Sequence, residues 1–378
     1  MNFLLTLIQA AGLGCASAAA GRRVMHYLQL ESYQLPGYIK SVKRNAMRTL
    51  IPPIAMAAVG VAALKVSGLF GLALLLEALT AALLAWQAAK EKAKKPFVAT
   101  ERVKRLTAVH AAVNTVLALI LLLISPTLGY LMPAFEPALL MLAAVVAAPM
   151  EKHIAGQFVK DAQARLAAQP NLIKIGITGS YGKTSTKFLL RDILSVKYNV
   201  LATPSSFNTT MGVTRVIREQ LTPAHQVFIA EMGARHVGDI RELVELVHPQ
   251  MGLITSVGPQ HLDTFGTIER VRDTKYELID GLPKDGTAIF ARDGAICEEL
   301  FDRCPLEKKY KPGMLVDAKD MACGPWGTRF TLVDIQTGEE ANCQTRLLGE
   351  HSISNLLLCC TAARALGMTL PEIALGVS

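Results

Sequence analysis

Long apolar runs fill the first part of the chain, whereas the later apolar runs are short and separated by polar residues. A helix needs roughly 20 mostly apolar residues to cross the hydrocarbon layer of a bilayer. Runs close to that length lie at 3–20, 49–64, 67–88, 106–125 and 131–149. The pattern predicts a transmembrane helical region of about five spans over residues 1–150, in contact with the lipid bilayer.

From about Glu151 onward, strand-length apolar runs alternate with runs of helical spacing. The predicted strands lie at 172–178, 199–203, 226–233, 251–258 and 286–293, with more β-structure over 328–348, and the predicted helices lie at 183–196, 238–247, 267–282 and 352–367. The run at 172–178 is apolar throughout, as in a strand buried in a parallel sheet. This alternation predicts an α/β domain over residues 151–378, with a mostly parallel sheet flanked by helices.

Most of the net charge of +8 is explained by basic residues in two loops between the predicted spans. The first loop carries Arg22, Arg23, Lys40, Lys43, Arg44 and Arg48, and the second carries Lys90, Lys92, Lys94, Lys95, Arg102, Lys104 and Arg105. Basic loops of membrane proteins face the cytoplasm. We therefore expect a multi-pass protein of the cell membrane with residues 151–378 in the cytoplasm, and the charge indicates no nucleic-acid partner.

The stretch GITGSYGKTSTK (176–187) joins a predicted strand to a predicted helix. The usual phosphate loop G-x-x-x-x-G-K-[ST] would need glycine where Ile177 stands, yet Gly179 and Gly182 still let the backbone approach a phosphate closely. Amide groups at the start of the helix attract anions. Lys183 can reach the β- and γ-phosphates, and the Thr184 hydroxyl can ligate Mg²⁺. The stretch therefore predicts a site for a nucleoside triphosphate.

This loop resembles the T-G-x-x-G-K-[ST] loop of the Mur ligases, the ATP-dependent peptide ligases of cell-wall synthesis. Further stretches resemble blocks of that family in the same order: TPSSFNTTMGV (203–213), FIAEMGARHVGDI (228–240), SVGPQHLDTFGTIERVRDTKYEL (256–278) and LLGEHSISN (347–355). The second and third of these are most similar to the branch that adds D-alanyl-D-alanine to UDP-N-acetylmuramoyl-tripeptide. Thr209 and Thr210 depart from the Asn-Asx pair that is commoner in that branch.

The resemblance implies roles for individual residues. It implies that ATP is bound by Gly179, Ser180, Gly182, Lys183, Thr184, Ser185, Asn208, His351 and Asn355, and that two Mg²⁺ ions are held by Thr184, Glu231, His261 and Lys275. Lys183, His261 and Lys275 form the implied catalytic set. The family's counterpart of Lys275 is carbamylated, which turns a cation into an oxygen ligand suited to Mg²⁺.

Each of these residues also has an ordinary structural explanation. Glu231 ends an apolar strand, so its carboxylate can lie at the edge of the sheet without a metal. A histidine at position 261 can be structural, a lysine at position 275 can be solvated, and Asn355 can cap a helix. The sequence alone leaves these alternatives open.

The resemblance implies an ATP-dependent amide ligase that forms an acyl phosphate on a carboxylate substrate, which an amine then attacks. The substrates would be a peptidoglycan-precursor-like carboxylate and an amino acid or dipeptide. The predicted spans stand where the family has its UDP-sugar-binding domain. The family's C-terminal domain should begin near residue 378, so we expect that domain to be absent or truncated and this chain not to ligate alone.

The sequence leaves two other functions open. One is a related amide ligase of the folylpolyglutamate or cyanophycin synthetase type, which the block EMGARHVGDI disfavours. The other is a non-catalytic membrane scaffold that binds nucleotide. The presence of Lys183, Glu231, His261 and Lys275 together disfavours a decayed site.

Overall fold

The computed structural model describes residues 3–91, 95–292 and 294–377. Lys92 and Lys94 of the second basic loop, and Asp293 at the end of a predicted strand, lie outside the described residues. The chain divides into two compact units, Met1–Ile154 and Ala155–Ser378. The hydrophobic pattern of the sequence predicts the domain boundary after residue 150.

The described part of the first unit is helical. Its helices are α1 (Phe3–Ala20), α2 (Arg22–Leu30), α3 (Leu35–Arg44), α4 (Ala46–Ser67), α5 (Phe70–Lys90), α6 (Glu101–Ile124), α7 (Pro126–Leu131), a 3₁₀ turn (Met132–Phe135) and α8 (Glu136–Ala167), which continues into the second unit. The stretches long and apolar enough to cross a membrane are α1, α4, α5, α6 and Pro126–Ala167. Large apolar side chains on them are exposed, including Leu75, Val116 and Ile124, and a surface of this kind is suited to contact with lipid.

Helix α4 begins earlier than the sequence indicates. The two prolines that mark the start of the predicted span lie inside the helix. Pro52 has no N–H group to donate to the carbonyl of Arg48, four residues before it. That carbonyl instead accepts a hydrogen bond of 2.7 Å from Arg23 Nη1. The substitute donor satisfies this freed carbonyl, and the helix continues through both prolines.

Ionisable side chains within these helices are buried between neighbouring helices. Glu77 of α5 is fully buried and lies against Gly60 of α4, where a β-carbon would fall 2.1 Å from Glu77 Oε1. Glu136 accepts a hydrogen bond of 2.5 Å from Ser17 Oγ and lies 2.9 Å from His110 Nε2. Contact with hydrocarbon would be costly for such groups, so the glycine at position 60 allows the close approach that buries Glu77.

A parallel sheet forms the centre of the second unit. Its strands are β1 (Ile173–Thr178), β2 (Val200–Ala202), β3 (Val227–Glu231), β4 (Met251–Ile254), β5 (Thr287–Phe290) and β6 (Lys308–Tyr310), in the order β2-β3-β1-β4-β5-β6. All neighbouring pairs are parallel. Strand β1 lies where the chain's connections diverge to the two sides of the sheet. Ligands of such sheets bind at this point, beyond the carboxyl ends of the strands.

Helices cover both faces of this sheet. They are α9 (Lys183–Leu194), α10 (Thr210–Gln220), α11 (Asp239–Val247), α12 (Leu262–Phe265), α13 (Ile268–Asp280), α14 (Ala295–Arg303), α15 (Glu350–Ala365) and α16 (Leu370–Val377). Side chains of β3 alternate between two apolar cores, so that Ile229 packs with α9 and α15 while Phe228 packs with α10 and α11. This arrangement confirms the predicted fold class of a mostly parallel sheet flanked by helices.

A second, antiparallel sheet follows β6 in the chain. Its strands are β7 (Val316–Gly324), β8 (Gly327–Asp334) and β9 (Glu340–Thr345), paired in that order. The predicted β-region at 328–348 contains only the last two. Strand β7 was missed because its second half is exposed on both faces and a register shift lies between Lys319 and Ala322, so no apolar alternation marks it.

Candidate nucleotide-binding site

The phosphate loop lies between β1 and α9, and its glycines have backbone conformations that other residues rarely adopt. The φ angle is +145° at Gly179 and +82° at Gly182. A β-carbon at Gly179 would also lie 1.9 Å from Thr255 Oγ1. Packing against Thr255 is therefore one reason why position 179 requires glycine.

Hydrogen bonds tie the loop to the segment that follows β4. The Ser180 amide donates to Ser256 O (2.8 Å), and Ser180 Oγ donates to Gly258 O (2.9 Å). Thr255 Oγ1 donates to Tyr181 O at 2.6 Å. These bonds fix the loop from one side.

Lys183 is the first residue of α9 and bends back over the loop. Its Nζ donates to Gly179 O (2.7 Å) and Ser180 O (3.1 Å). Burial lowers the pKa of Lys183, and the nearby Glu231 acts in the opposite direction. The side chain is therefore held at the loop, where the backbone amides that begin α9 also lie.

Three side chains converge on Glu231, the last residue of β3, which is 1% exposed. Its Oε2 accepts hydrogen bonds from Thr184 Oγ1 (3.0 Å) and Lys187 Nζ (2.9 Å). Its Oε1 accepts one from Asn208 Nδ2 (3.1 Å). The structure thus brings together Thr184, Asn208 and Glu231, which the sequence proposes as parts of one site.

Gly233 makes room for this arrangement. A β-carbon there would lie 2.7 Å from Asn208 Cγ, and the Gly233 amide donates to Asn208 O at 2.8 Å. The glycine two residues after Glu231 therefore lets the segment that carries Asn208 close against the end of β3.

Lys187 is a part of the site that the sequence analysis missed. Its side chain is fully buried, and it lies on the buried face of α9 with Leu190 and Leu194. A lysine at apolar positions of a helical pattern must find a partner for its charge. The position of Lys187 in the helical pattern could have indicated a buried, paired charge, but the sequence alone could not name Glu231 as the partner.

Lys275, on α13, is 2% exposed, which excludes the explanation of a solvated lysine. Burial, followed by repulsion from Lys183, lowers the pKa of Lys275 to about 8. Among the residues that the structure describes, no carboxylate lies within salt-bridge distance of this amine. Glu277, two residues further along the same helix, is engaged elsewhere, because its carboxylate accepts hydrogen bonds from the amides of Gly238 and Arg241 at 2.9 Å each.

His261 follows β4 and is the N-cap residue directly before α12, with a left-handed backbone, φ +56°. Its side chain is exposed. Partial burial lowers the pKa of His261, as do the positive charges of Arg235 and Lys275. His261 and Lys275 are therefore near enough to interact electrostatically, although no hydrogen bond joins them.

Asn355 lies on α15 beside the phosphate loop. A β-carbon at Gly182 would fall 2.8 Å from Asn355 Nδ2. The helix begins at Glu350, so Asn355 lies inside it and the explanation of a helix cap is wrong. Ser185 and His351 are exposed, and neither has a side-chain hydrogen bond within the described ranges.

The side-chain oxygens present suit a magnesium site that leaves coordination positions for water and phosphate. Across 3–91, 95–292 and 294–377, no group of three or more His, Cys, Asp or Glu side chains is placed to hold a metal. Thr184 Oγ1 and Glu231 Oε2 are nevertheless 3.0 Å apart. Mg²⁺ in proteins is usually bound through one or two carboxylates and keeps waters and substrate phosphates as its other ligands. Thr184 and Glu231 fit that chemistry.

These features define the class of the second unit: it is a nucleotide-binding α/β domain with a phosphate loop at the centre of a parallel sheet. Residues 177–363 match the family model described as the Mur ligase middle domain. This part of the chain therefore belongs to the Mur ligase middle-domain family.

Curated relatives agree with this assignment. The UDP-N-acetylmuramoyl-tripeptide–D-alanyl-D-alanine ligase of Bacillus subtilis (strain 168) is 30% identical over 206 residues, which are 54% of this chain and 44% of that protein. Its namesake in Escherichia coli (strain K12) is 30% identical over 248 residues, or 62% of this chain and 54% of that protein. The chain spans about half the length of the curated relatives it matches.

Solved structures show the same likeness. MurF from Acinetobacter baumannii superposes with a TM-score of 0.55 at 28% identity, covering 59% of this chain and 49% of that one. The MurF ligase from Thermotoga maritima in complex with ADP gives a TM-score of 0.51 at 25% identity, covering 58% and 52%. The predicted resemblance to the Mur ligases, and to this branch of them, is confirmed.

Proposed function

We propose that this chain is part of a membrane-anchored, ATP-dependent amide ligase of the Mur type that acts in peptidoglycan precursor synthesis or modification. The observation that carries the proposal is the convergence of Thr184 and Asn208 on Glu231, beside the loop that holds Lys183. A phosphate-binding helix start and a buried carboxylate at the end of the neighbouring strand are what a triphosphate with Mg²⁺ requires.

The nucleotide we propose is ATP. The relative from Thermotoga maritima was solved in complex with ADP, which supports an adenine nucleotide here. The phosphates would be bound by the loop amides and Lys183. The Asn355 amide lies next to Gly182 and presents both a donor and an acceptor, which suits contact with a base edge.

Mg²⁺ would neutralise the charge that develops on the phosphates, and we propose two ions. Thr184 and Glu231 would hold the first. His261 would hold the second, together with Lys275 once its amine is converted to a carbamate. Its pKa of about 8 leaves part of the amine neutral near pH 7.5. A neutral amine can attack CO₂ and lose one proton, which gives the anionic oxygen donor that Mg²⁺ prefers.

The proposed reaction has two steps. An oxygen of the substrate carboxylate attacks the γ-phosphorus, the bond to the bridging oxygen breaks, and ADP leaves with the acyl phosphate formed. An amine then attacks the acyl carbon, loses a proton, and expels phosphate to give the amide. The protein contributes by positioning the groups and by placing Lys183 where negative charge develops.

The substrates follow from the relatives, which are named for UDP-N-acetylmuramoyl-tripeptide and D-alanyl-D-alanine. We propose a muramoyl-peptide-like carboxylate and an amino acid or dipeptide as the amine. The five apolar helices, Phe3–Ala20 among them, would place the site at the cytoplasmic face of the cell membrane. A substrate that is itself bound to the membrane would suit that position.

Trapping of the acyl phosphate tests the proposal. The full chain in detergent is incubated with ATP, Mg²⁺, a muramoyl-tripeptide and hydroxylamine, which converts an acyl phosphate to a stable hydroxamate. We expect hydroxamate with the unmodified chain and with the exposed-site control Lys284→Ala, and none with Lys183→Ala. Binding of ATP without any hydroxamate would contradict the proposed formation of an acyl phosphate by this chain, and no ATP binding would contradict the nucleotide site itself.

A further inference from the structure

Lys187 holds a buried charge at a position where two other parts of the site meet. It is fully buried, and its Nζ donates to Glu231 Oε2 at 2.9 Å and to Ser205 O at 2.5 Å. A buried ammonium is tolerated only when it is paired and its protons are used in hydrogen bonds. The pairing therefore fixes Lys187, and through it both of its acceptors.

One acceptor belongs to a strained segment between β2 and α10. Ser205 has a φ angle of +45°, which a residue with a β-carbon adopts at a cost unless surrounding contacts hold it there. The bond from Lys187 is such a contact. The same segment carries Asn208, which donates to Glu231 Oε1. Lys187 therefore supports the Ser205 end of this loop directly and the Asn208 end through Glu231.

The other acceptor is the proposed metal ligand. Thr184 and Lys187 both donate to Glu231 Oε2, and Asn208 donates to Oε1. A hydroxyl that ligates a metal offers a lone pair and can turn its proton elsewhere. The ammonium of Lys187 has no access to water and keeps its place, so it is the donor that maintains the orientation of the carboxylate.

We propose that Lys187 is a positioning residue for the metal end of the nucleotide site. It orients the Glu231 carboxylate and holds the loop from Ser205 to Asn208 against it, without touching nucleotide or metal. The proposal rests on the proposed binding of ATP and Mg²⁺. Partners that orient a metal ligand typically change metal affinity by about 10–100-fold when they are removed.

The first test compares ATP binding with and without Mg²⁺ by calorimetry on the full chain in detergent. For Lys187→Met, we expect the tightening of ATP binding by Mg²⁺ to fall by about tenfold or more, while affinity for ATP in excess EDTA stays close to that of the unmodified chain. Lys284→Met, at an exposed site, is the matched control. Equal losses with and without Mg²⁺, or no loss, would overturn the proposal.

The second test follows amide hydrogen exchange of residues 203–210 without any ligand. Either single substitution leaves the other charge of the pair buried without its partner and can prevent folding, so the comparison sets the double variant Lys187→Met, Glu231→Gln, which removes both charges, against the unmodified chain. We expect faster exchange of 203–210 in the double variant, and equal exchange would overturn the positioning role. If the unmodified chain does not bind ATP, the proposed function fails, and this exchange measurement still decides whether Lys187 holds the loop.

Discussion

The side chain of Asn355 lies directly against Gly182, with its Nδ2 2.8 Å from the position that a β-carbon of residue 182 would take. The two residues are far apart in the sequence, in the phosphate loop and in helix α15. Gly182 also has a φ angle of +82°. This glycine thus meets two requirements at once, a left-handed backbone and contact with an amide.

Gly182→Ala should therefore cost more than backbone strain alone. A β-carbon in the left-handed region costs roughly 1–2 kcal/mol of folding stability. Displacement of Asn355 should in addition lower the affinity for ATP by at least about tenfold. Gly367→Ala is the matched control, because Gly367 has φ +80° with no atom near its β-carbon position. We expect both variants to lower the melting temperature and only Gly182→Ala to weaken ATP binding in calorimetry.

Lys183→Ala should weaken ATP binding by roughly 1.5–3 kcal/mol, the range for a hydrogen bond to a charged group. The Nζ of Lys183 is placed over the loop by bonds to Gly179 and Ser180, so little ordering is needed on binding. Isothermal titration of the full chain measures the change. Unaltered affinity would show that nucleotide binds elsewhere.

The buried amine of Lys275 should make stability depend on pH. Its pKa falls from 10.5 to about 8 on folding, so between those values the unfolded chain binds more protons than the folded chain. Stability then rises with pH from about 8 to about 10.5, and the full effect is about 3 kcal/mol. The melting temperature of Lys275→Met should lack this rise relative to the unmodified chain, and parallel curves for the two would contradict the assignment.

Carbamylation of the Lys275 amine can be detected by ¹³C NMR. Addition of ¹³C-bicarbonate near pH 8 should give a carbamate signal in the ¹³C NMR spectrum of the full chain, because the neutral amine is the reactive form. Lys275→Arg should abolish that signal, while Lys284→Arg at an exposed site should leave it. A signal that survives Lys275→Arg would assign the carbamate to another amine.

Cysteine labelling tests the proposed topology. Lys95→Cys and Leu69→Cys are introduced separately into a chain whose exposed cysteines, Cys15 and Cys323, are replaced by alanine. An impermeant maleimide added to intact cells should label position 69, between α4 and α5, and leave position 95 unlabelled until the cells are opened. Rapid labelling at 95 in intact cells would reverse the orientation of the membrane unit.

Much of the second unit could be predicted because its central strands are uninterrupted apolar runs. Thr184 and Asn208 follow β1 and β2, and Glu231 is the last residue of β3, and these three strands are neighbours. The carboxyl ends of parallel strands meet at one edge of a sheet, so their proximity follows from the pattern itself.

Other features depend on contacts that no local pattern reveals. The partner of Lys187 is 44 residues away, and the partner of Ser180 Oγ is 78 residues away. Strand β6 has two lysines among its three residues and belongs to the sheet only because it pairs with β5. Tertiary pairing, rather than propensity, determines such elements.

The bonds from Ser180 and Tyr181 to the segment after β4 have a mechanical consequence. They link the loop that would carry the phosphates to the stretch that leads into His261 within a few residues. A shift that a nucleotide imposed on the loop would act on this stretch directly through these hydrogen bonds, without a change in the strands of the sheet. The position of the phosphate loop and the position of His261 would then change together when nucleotide binds.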